Sequence, residues 1–90
     1  MSDDINKIAD HYGLESQFDM LLEECAELIQ AVSKYRRRKY SGVRLAEEMA
    51  DVYIMLEQIQ YLLKVKPEVN EWIDFKVKRQ LERIKGEEHG

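Results

Sequence analysis

The sequence predicts an all-α protein: an antiparallel helical hairpin of two long helices with shorter flanking helices. The chain has 90 residues with one proline and four glycines, and its apolar residues recur every three or four positions. No segment alternates polar and apolar residues for long, as a half-buried strand would. Residues 1–90 form a single domain whose own core would be small. We therefore expect oligomerisation to complete a four-helix-type bundle.

The first two predicted helices are separated by Gly13. A short helix over residues 2–12 has Asp3 and Asp4 at the positive end of its dipole, and we expect it to pack as a lid or strap. The first long helix is predicted from Leu14 to about Lys39, because its apolar residues share one face over more than five turns. These residues are Leu14, Phe18, Leu21, Cys25, Leu28, Val32 and Tyr35.

The second long helix is predicted from about Val43 to Val65. Residues 41–42 break the chain before it, and Pro67 is expected to end it. Because the connecting turn is short, the two long helices should be antiparallel. Tyr53 and Ile54 add apolar character away from the central stripe, so we expect this helix to be buried on several sides. The central stripe consists of Leu45, Met49, Val52, Leu56, Ile59 and Leu63.

A last helix is predicted from about Glu68 to Lys85, with Gly86 beginning a polar tail. One of its faces is apolar and consists of Ile73, Val77, Leu81 and Ile84.

The composition indicates the cellular environment in which the chain is expected to fold. No run approaches the roughly 18 consecutive apolar residues of a membrane span, and no signal peptide is recognisable. The single Cys25 cannot form an intrachain disulfide, and its place on an apolar face favours a packing role. We therefore expect a soluble, cytoplasmic protein.

Two acidic clusters interrupt the apolar faces of the long helices. In each cluster, two carboxylates three residues apart lie on the flank of the helix, so the two pairs can face each other across the 8–10 Å that separate packed helices. Oxygen ligands suit Mg²⁺, and four facing carboxylates would repel one another without a cation. Solvated acidic faces are the alternative, and the pattern leaves both open. The clusters are Glu23, Glu24 and Glu27, then Glu47, Glu48 and Asp51.

The sequence lacks the residues that other kinds of metal or catalytic site require. Di-iron bundles need Glu-x-x-His on two helices, and neither His11 nor His89 follows a Glu at that spacing. Zinc lacks its usual Cys and His ligands. The sequence contains no candidate for an EF-hand loop, a phosphate-binding P-loop or a Ser-His-Asp triad.

Several segments together resemble a MazG-like protein of the all-α nucleoside triphosphate pyrophosphohydrolase superfamily. The mark of that family is EExxE, a variable spacer and then ExxD, and the resemblance covers nearly the whole chain. The segments are His11-Tyr12-Gly13, Gln17, residues 23–28, residues 45–52 and residues 79–84.

The resemblance implies Mg²⁺-dependent hydrolysis of a nucleotide between its α- and β-phosphates, giving a monophosphate and pyrophosphate, with Mn²⁺ as a possible substitute. It implies that Glu24, Glu27, Glu48 and Asp51 are metal ligands and that Glu23 positions or deprotonates the attacking water. It also suggests a house-cleaning role on noncanonical or surplus nucleotides. The short chain would act as a homodimer or homotetramer.

The triphosphate needs cations as well. Family members use Lys and Arg of the later helices, and the resemblance assigns this role to Lys76 and Arg79. Lys34, one heptad after Glu27, points along the carboxylate flank and is a further candidate. A solvated basic face that pairs with Glu82 explains the basic residues of the last helix equally well.

Three further possibilities carry less support. Trp72, Tyr12 and Tyr53 are candidates for stacking on a base, although aromatic residues at helical spacing more often belong to a core. The basic residues 36–38 complement a helix dipole, and no nucleic-acid-binding motif accompanies them. The alternative to an enzyme is a helical interaction module whose acidic clusters are structural or hydrated.

Overall fold

The computed structural model describes residues 2–89, and that part of the chain is all-helical. It contains four helices and no strand: α1 (Ser2–Tyr12), α2 (Leu14–Arg36), α3 (Gly42–Leu63) and α4 (Lys66–His89). The prediction of an all-α fold with two long central helices is confirmed. The most extensive contact joins α2 to α3, and α1 packs against both of them.

The C-terminal end of α2 lies three residues before the predicted position. The N–H of Lys39 donates to the carbonyl of Lys34 at 2.8 Å, and the N–H of Arg38 donates to that of Tyr35 at 2.9 Å. Arg38 has a φ of 61°. These bonds form a Schellman motif, which satisfies the last carbonyls and turns the chain away after Arg36. The basic run that looked helical in sequence therefore forms the turn.

Helix α3 is capped at both ends. The Ser41 hydroxyl accepts a hydrogen bond from the N–H of Arg44 at 3.2 Å, which satisfies a free donor of the first turn. At the other end Lys64, with a φ of 58°, closes a second Schellman motif after Leu63. The prediction that Pro67 ends this helix is wrong. Pro67 occupies the first turn of α4, where its missing N–H costs nothing.

Helix α4 lies apart from the core, and the prediction that it is a short flanking helix is wrong. With 24 residues it is the longest of the four described helices. It begins at Lys66 and continues through Gly86 to His89, so the prediction of a polar tail from Gly86 is wrong. Within residues 2–89 it contacts α3 alone, and none of its described residues is buried. Its apolar face is therefore exposed in the single chain.

The core is narrow and centred on one line of contact between α2 and α3. The predicted central stripes are partly exposed beside this line: Phe18, Val32, Met49 and Leu56 all remain accessible. Both helices are rotated so that the flanks bearing the carboxylates face each other. The buried residues are Ala9, Gln17, Ala31, Glu48, Met55, Gln58 and Ile59.

Burial of α3 on several sides is not found within one chain. The side chain of Tyr53 is 71% exposed, and Ile54 is exposed as well. Helix α1 covers another part of α3, where Ala9 is fully buried and the Tyr61 hydroxyl donates to Asp10 at 2.8 Å. Cys25 is a free, half-buried thiol. In the described range, no helix combines the length and apolar character needed to cross a membrane.

Candidate metal centre

Carboxylates from two helices converge near the middle of the contact between α2 and α3. Glu24 and Glu27 of α2 and Glu48 of α3 each offer one oxygen, and these three oxygens lie within 4.8 Å of one another. Asp51 lies close enough to Glu24 and Glu48 for its charge to raise the pKa of each. The four residues predicted as metal ligands are thus neighbours in the folded chain.

The group draws two residues from α2 and two from α3. The oxygens of Glu24 and Glu27 both lie within 4.8 Å of an oxygen of Glu48, and the charge of Asp51 acts on Glu24. A spacing of three residues places both members of each pair on one side of its helix. The sequence motif therefore becomes a compact four-carboxylate group only when the two helices pack at this register.

The four carboxylates differ in burial: Glu48 is buried, Glu24 and Asp51 are half-buried, and Glu27 is exposed. Glu48 is only 8% exposed. The Oε2 atoms of Glu24 and Glu48 are both inaccessible and have no hydrogen-bond partner among the residues that the structure describes. An ionised carboxylate in such a place is unfavourable unless a cation or a proton compensates its charge.

The pKa values of Glu24 and Glu48 reflect the cost of burying their charges. Burial, followed by the charges of Glu27 and Asp51, raises the pKa of Glu24 from its ordinary value of 4.5 to about 7. Burial and then the charges of Glu27 and Asp51 raise the pKa of Glu48 too, while nearby Arg44 acts in the opposite direction. Without a cation, Glu24 is therefore partly protonated near neutral pH.

The donor set fits a hard divalent ion. Mg²⁺ bonds to oxygen at about 2.1 Å, which places its ligand oxygens roughly 3–4 Å apart. Oxygens already within 4.8 Å would need only small side-chain movements to reach that spacing. With carboxylate oxygens alone in the group, Mg²⁺ or Mn²⁺ suits it better than zinc or copper.

The remaining members of the two acidic clusters lie outside this group. Glu23 and Glu47 are both exposed. Glu23 directly precedes Glu24 on α2. Its predicted role toward water remains a prediction.

The two cations predicted to bind phosphates, Lys76 and Arg79, lie against aromatic rings of their own helix α4. The ammonium of Lys76 lies 5.9 Å from the centre of the Trp72 ring, and the guanidinium of Arg79 lies 5.6 Å from that of Phe75. Because α4 makes no contact with α2 in the part of the chain described, these side chains do not join the carboxylates within one chain.

Two other cations lie closer to the carboxylates along α2 and α3. Lys34 donates to the Tyr40 hydroxyl at 3.3 Å and lies 4.9 Å from the centre of its ring. Arg44 lies 5.0 Å from the same ring, and its Nε is 3.9 Å from Oε1 of Glu48. Sequence reasoning missed Arg44, although its position four residues before Glu48 is the spacing of a helical ion pair.

Comparisons of the chain with protein-family models, curated proteins and solved structures return no match.

Proposed function

We propose that the protein is a Mg²⁺-dependent nucleotide pyrophosphohydrolase that cleaves a nucleoside triphosphate between the α- and β-phosphates, releasing a monophosphate and pyrophosphate. One observation carries the proposal. Two helices bring carboxylates of the EExxE and ExxD motifs into one group, and buried Glu48 in that group has an oxygen without a partner. A house-cleaning role on noncanonical or surplus nucleotides is consistent with this chemistry.

In this proposal Glu24, Glu27, Glu48 and Asp51 hold the ion. Bound Mg²⁺ supplies neutralisation of the negative charge that builds on phosphate oxygens during transfer. The protein holds the carboxylates in place through the α2–α3 contact, so little rearrangement is needed on binding. Glu23, exposed beside the ligands, is proposed to position or deprotonate the attacking water.

Cations for the remaining phosphates come first from the last turn of α2 and the first turn of α3. Lys34 and Arg44 share the Tyr40 ring, and the Arg44 guanidinium already approaches Glu48. Their charges would lie beside phosphates bound at the metal. Lys76 and Arg79 can serve the same site only if α4 of a second copy reaches it.

We also propose a homodimer or homotetramer in which α2 and α3, as an antiparallel hairpin, form half of a four-helix-type bundle. The support is the apolar surface that one chain leaves uncovered on α3 and α4, including Tyr53, Ile54, Ile73 and Val77. A core this narrow gives a 90-residue chain little stability by itself. Light scattering at micromolar concentration should give a mass of two or four chains, and a stable monomer would contradict the assembly.

The activity is tested with a panel of ribo- and deoxyribonucleoside triphosphates in Mg²⁺, assayed for pyrophosphate. At least one nucleotide should be cleaved, and chelation or Glu48→Gln should abolish the reaction. Glu47→Gln is the matched control, because Glu47 adjoins Glu48 but is exposed. No release from any nucleotide, or equal release by both variants, would refute the proposal.

The second candidate function is a non-enzymatic helical interaction module. The observation that favours it is the apolar face of α4, which is exposed along its whole length. Such a module needs no metal, so a calorimetric titration with Mg²⁺ or Mn²⁺ separates the two. Binding that depends on Glu48 favours the enzyme, and the absence of binding favours the module.

A further inference from the structure

Two buried glutamines lie in the contact between α2 and α3. Gln17 is 3% exposed and Gln58 is 2% exposed. The Oε1 atom of each is inaccessible and has no hydrogen-bond partner within residues 2–89. The only bond of the Gln58 amide is a donation to the sulfur of Met55 at 3.4 Å, and thioether sulfur is a weak acceptor.

These amides line a cavity of about 340 Å³ between α1, α2 and α3. Ile8, Met20 and Met55 provide apolar walls, and Tyr12 contributes an aromatic ring at its edge. The Tyr12 side chain is exposed, so one face of the ring can be reached by a ligand. An apolar cavity with a few converging polar groups is the usual form of a small-molecule site.

Packing alone does not explain the glutamines. Burying an amide oxygen without a partner destabilises a fold, whereas Leu or Met would fill the same space without that cost. Two such residues on facing helices double the cost. A ligand that hydrogen-bonds to both amides would recover it.

The cavity lies beside the proposed metal centre. Gln17 precedes Glu24 by seven residues and Gln58 follows Asp51 by seven, so both amides lie about 10 Å along the helices from the carboxylates. Arg44 lies on the opposite side of the carboxylates. Along the contact between α2 and α3, the amide pocket is thus followed by the acidic group and then by a cation. This order matches that of a nucleotide, in which the base is followed by the metal-bound phosphates and then by the terminal phosphate.

We propose that Gln17 and Gln58 bind the nucleobase of the substrate; this inference rests on the proposed function. Each carboxamide offers an acceptor oxygen and two donor hydrogens, a match for the adjacent donors and acceptors on the edge of a base. Tyr12 lies where it can stack on the ring. The ligand class is therefore a nucleotide with an intact base, and phosphate-only compounds would lack these contacts.

Binding requires the amides to turn toward the cavity, since both Oε1 atoms are inaccessible. Rotation about the last side-chain torsion is soft for an amide. At Gln58 the rotation breaks the weak bond to Met55, and at Gln17 the oxygen has no bond to break among the residues described. The same rotation exchanges the donor NH₂ of each amide for its acceptor oxygen. The bases that fit are therefore those that match an orientation both amides can adopt at the same time.

The test uses ¹H–¹⁵N spectra of the full chain in Mg²⁺, with the side-chain amide signals of Gln17 and Gln58 assigned through Gln17→Met and Gln58→Met. Nucleoside monophosphates of different bases and inorganic pyrophosphate are the probes. Both amide signals should move with nucleotides, by amounts that depend on the base, and stay in place with pyrophosphate. Gln30, exposed on α2, provides the control signal and the control variant Gln30→Met.

Kinetics gives a second readout. Each cavity variant should raise the KM for the preferred nucleotide about tenfold or more and change its preference among bases, while Mg²⁺ affinity is retained and the melting temperature is not lowered. The inference is overturned if the nucleotide moves backbone signals around Glu24 and Glu48 but leaves both glutamine side chains unmoved. It is also overturned if Gln17→Met and Gln58→Met behave as Gln30→Met does. Failure of the proposed function gives a different pattern, in which neither nucleotides nor Mg²⁺ bind at all.

Discussion

Glu24 of α2 and Glu48 of α3 are 24 residues apart in the chain, yet an oxygen of one lies within 4.8 Å of an oxygen of the other. Both also have a second oxygen that is inaccessible and unpartnered in the described structure. The fold holds these like charges together at a cost to its stability. In the proposed function a bound divalent cation would offset that cost, which would link metal binding, pH and stability.

The first prediction concerns pH in the absence of metal. The pKa of Glu24 is raised from 4.5 to about 7 by folding, so between these values the folded chain binds a proton that the unfolded chain releases. The contribution of Glu24 to the free energy of unfolding must therefore fall as pH rises from about 4.5 to about 7, and level off above. Thermal melts with chelator should show this slope in the difference between wild type and Glu24→Gln.

Glu23→Gln is the control for this experiment, because Glu23 is the exposed neighbour on the same helix. The difference between wild type and Glu23→Gln should not depend on pH in this way. A difference for Glu24→Gln that is flat between pH 5 and 7, or of opposite sign, would show that the carboxylates do not converge.

The second prediction is stabilisation by Mg²⁺ that depends on pH. An ion that binds only the folded chain adds about 2.7 kcal/mol at a concentration one hundred times its Kd. Protons compete for Glu24, so the gain in melting temperature should be large at pH 8 and small at pH 5. Glu48→Gln should melt higher than wild type in chelator, because one buried charge is removed, and should respond less to Mg²⁺.

The third prediction concerns Arg44. Its guanidinium lies 3.9 Å from Glu48 and competes there with a bound cation, while it favours an approaching phosphate. Arg44→Met should therefore bind Mg²⁺ more tightly in calorimetry and yet have a higher KM for the nucleotide. Arg37→Met, at an exposed position of the turn that precedes α3, should change neither. Parallel losses of metal and nucleotide affinity in Arg44→Met would instead indicate a structural role.

The fourth prediction tests the helix ends. Arg38 adopts a φ of 61°, a left-handed conformation that costs a residue with a Cβ about 1 kcal/mol and costs glycine little. Arg38→Gly should raise the free energy of unfolding by up to about 1 kcal/mol in denaturant titrations. Arg37→Gly is the control: its φ is −88°, so glycine relieves nothing there and should be neutral or destabilising. An Arg38→Gly variant less stable than wild type would contradict this end of α2.

The fifth prediction separates stability from function at the glutamines. If the Gln17 amide serves a ligand, replacing it with an apolar group of similar shape removes an unpartnered buried amide. Gln17→Met should then raise the free energy of unfolding by about 1 kcal/mol, while Gln30→Met should change it little. A clear loss of stability in Gln17→Met would show that the amide supports the fold itself.

Much of the fold follows from local pattern. Gly13 ends the first helix where predicted, and periodicity locates the two long helices. The predicted C-terminal ends of the two long helices are wrong, because a left-handed residue ends each helix before the apolar periodicity stops. These residues are Arg38 and Lys64, and a sequence rarely predicts that conformation for a residue with a Cβ. Pro67 was placed at the end of a helix because proline breaks helices, but the first turn of a helix tolerates it equally.

The candidate site was predicted in part. Spacing put the carboxylates on matching flanks, and packing brings Glu24, Glu27 and Glu48 together. Spacing did not reveal that this flank is the line of contact itself, because apolar periodicity assigns the core to the most apolar stripe. For the same reason Gln58 was not singled out. A polar residue in a contact becomes informative only when its partners are known.

The proposed function depends most on a metal site formed by the four carboxylates. Calorimetric titration of Mg²⁺ into the metal-free protein at pH 8 tests this directly, with Glu48→Gln and Glu47→Gln titrated alongside. We predict saturable binding to wild type and Glu47→Gln, and an affinity at least about tenfold lower for Glu48→Gln. Absence of binding to wild type, or equal affinity in all three proteins, would contradict the claim.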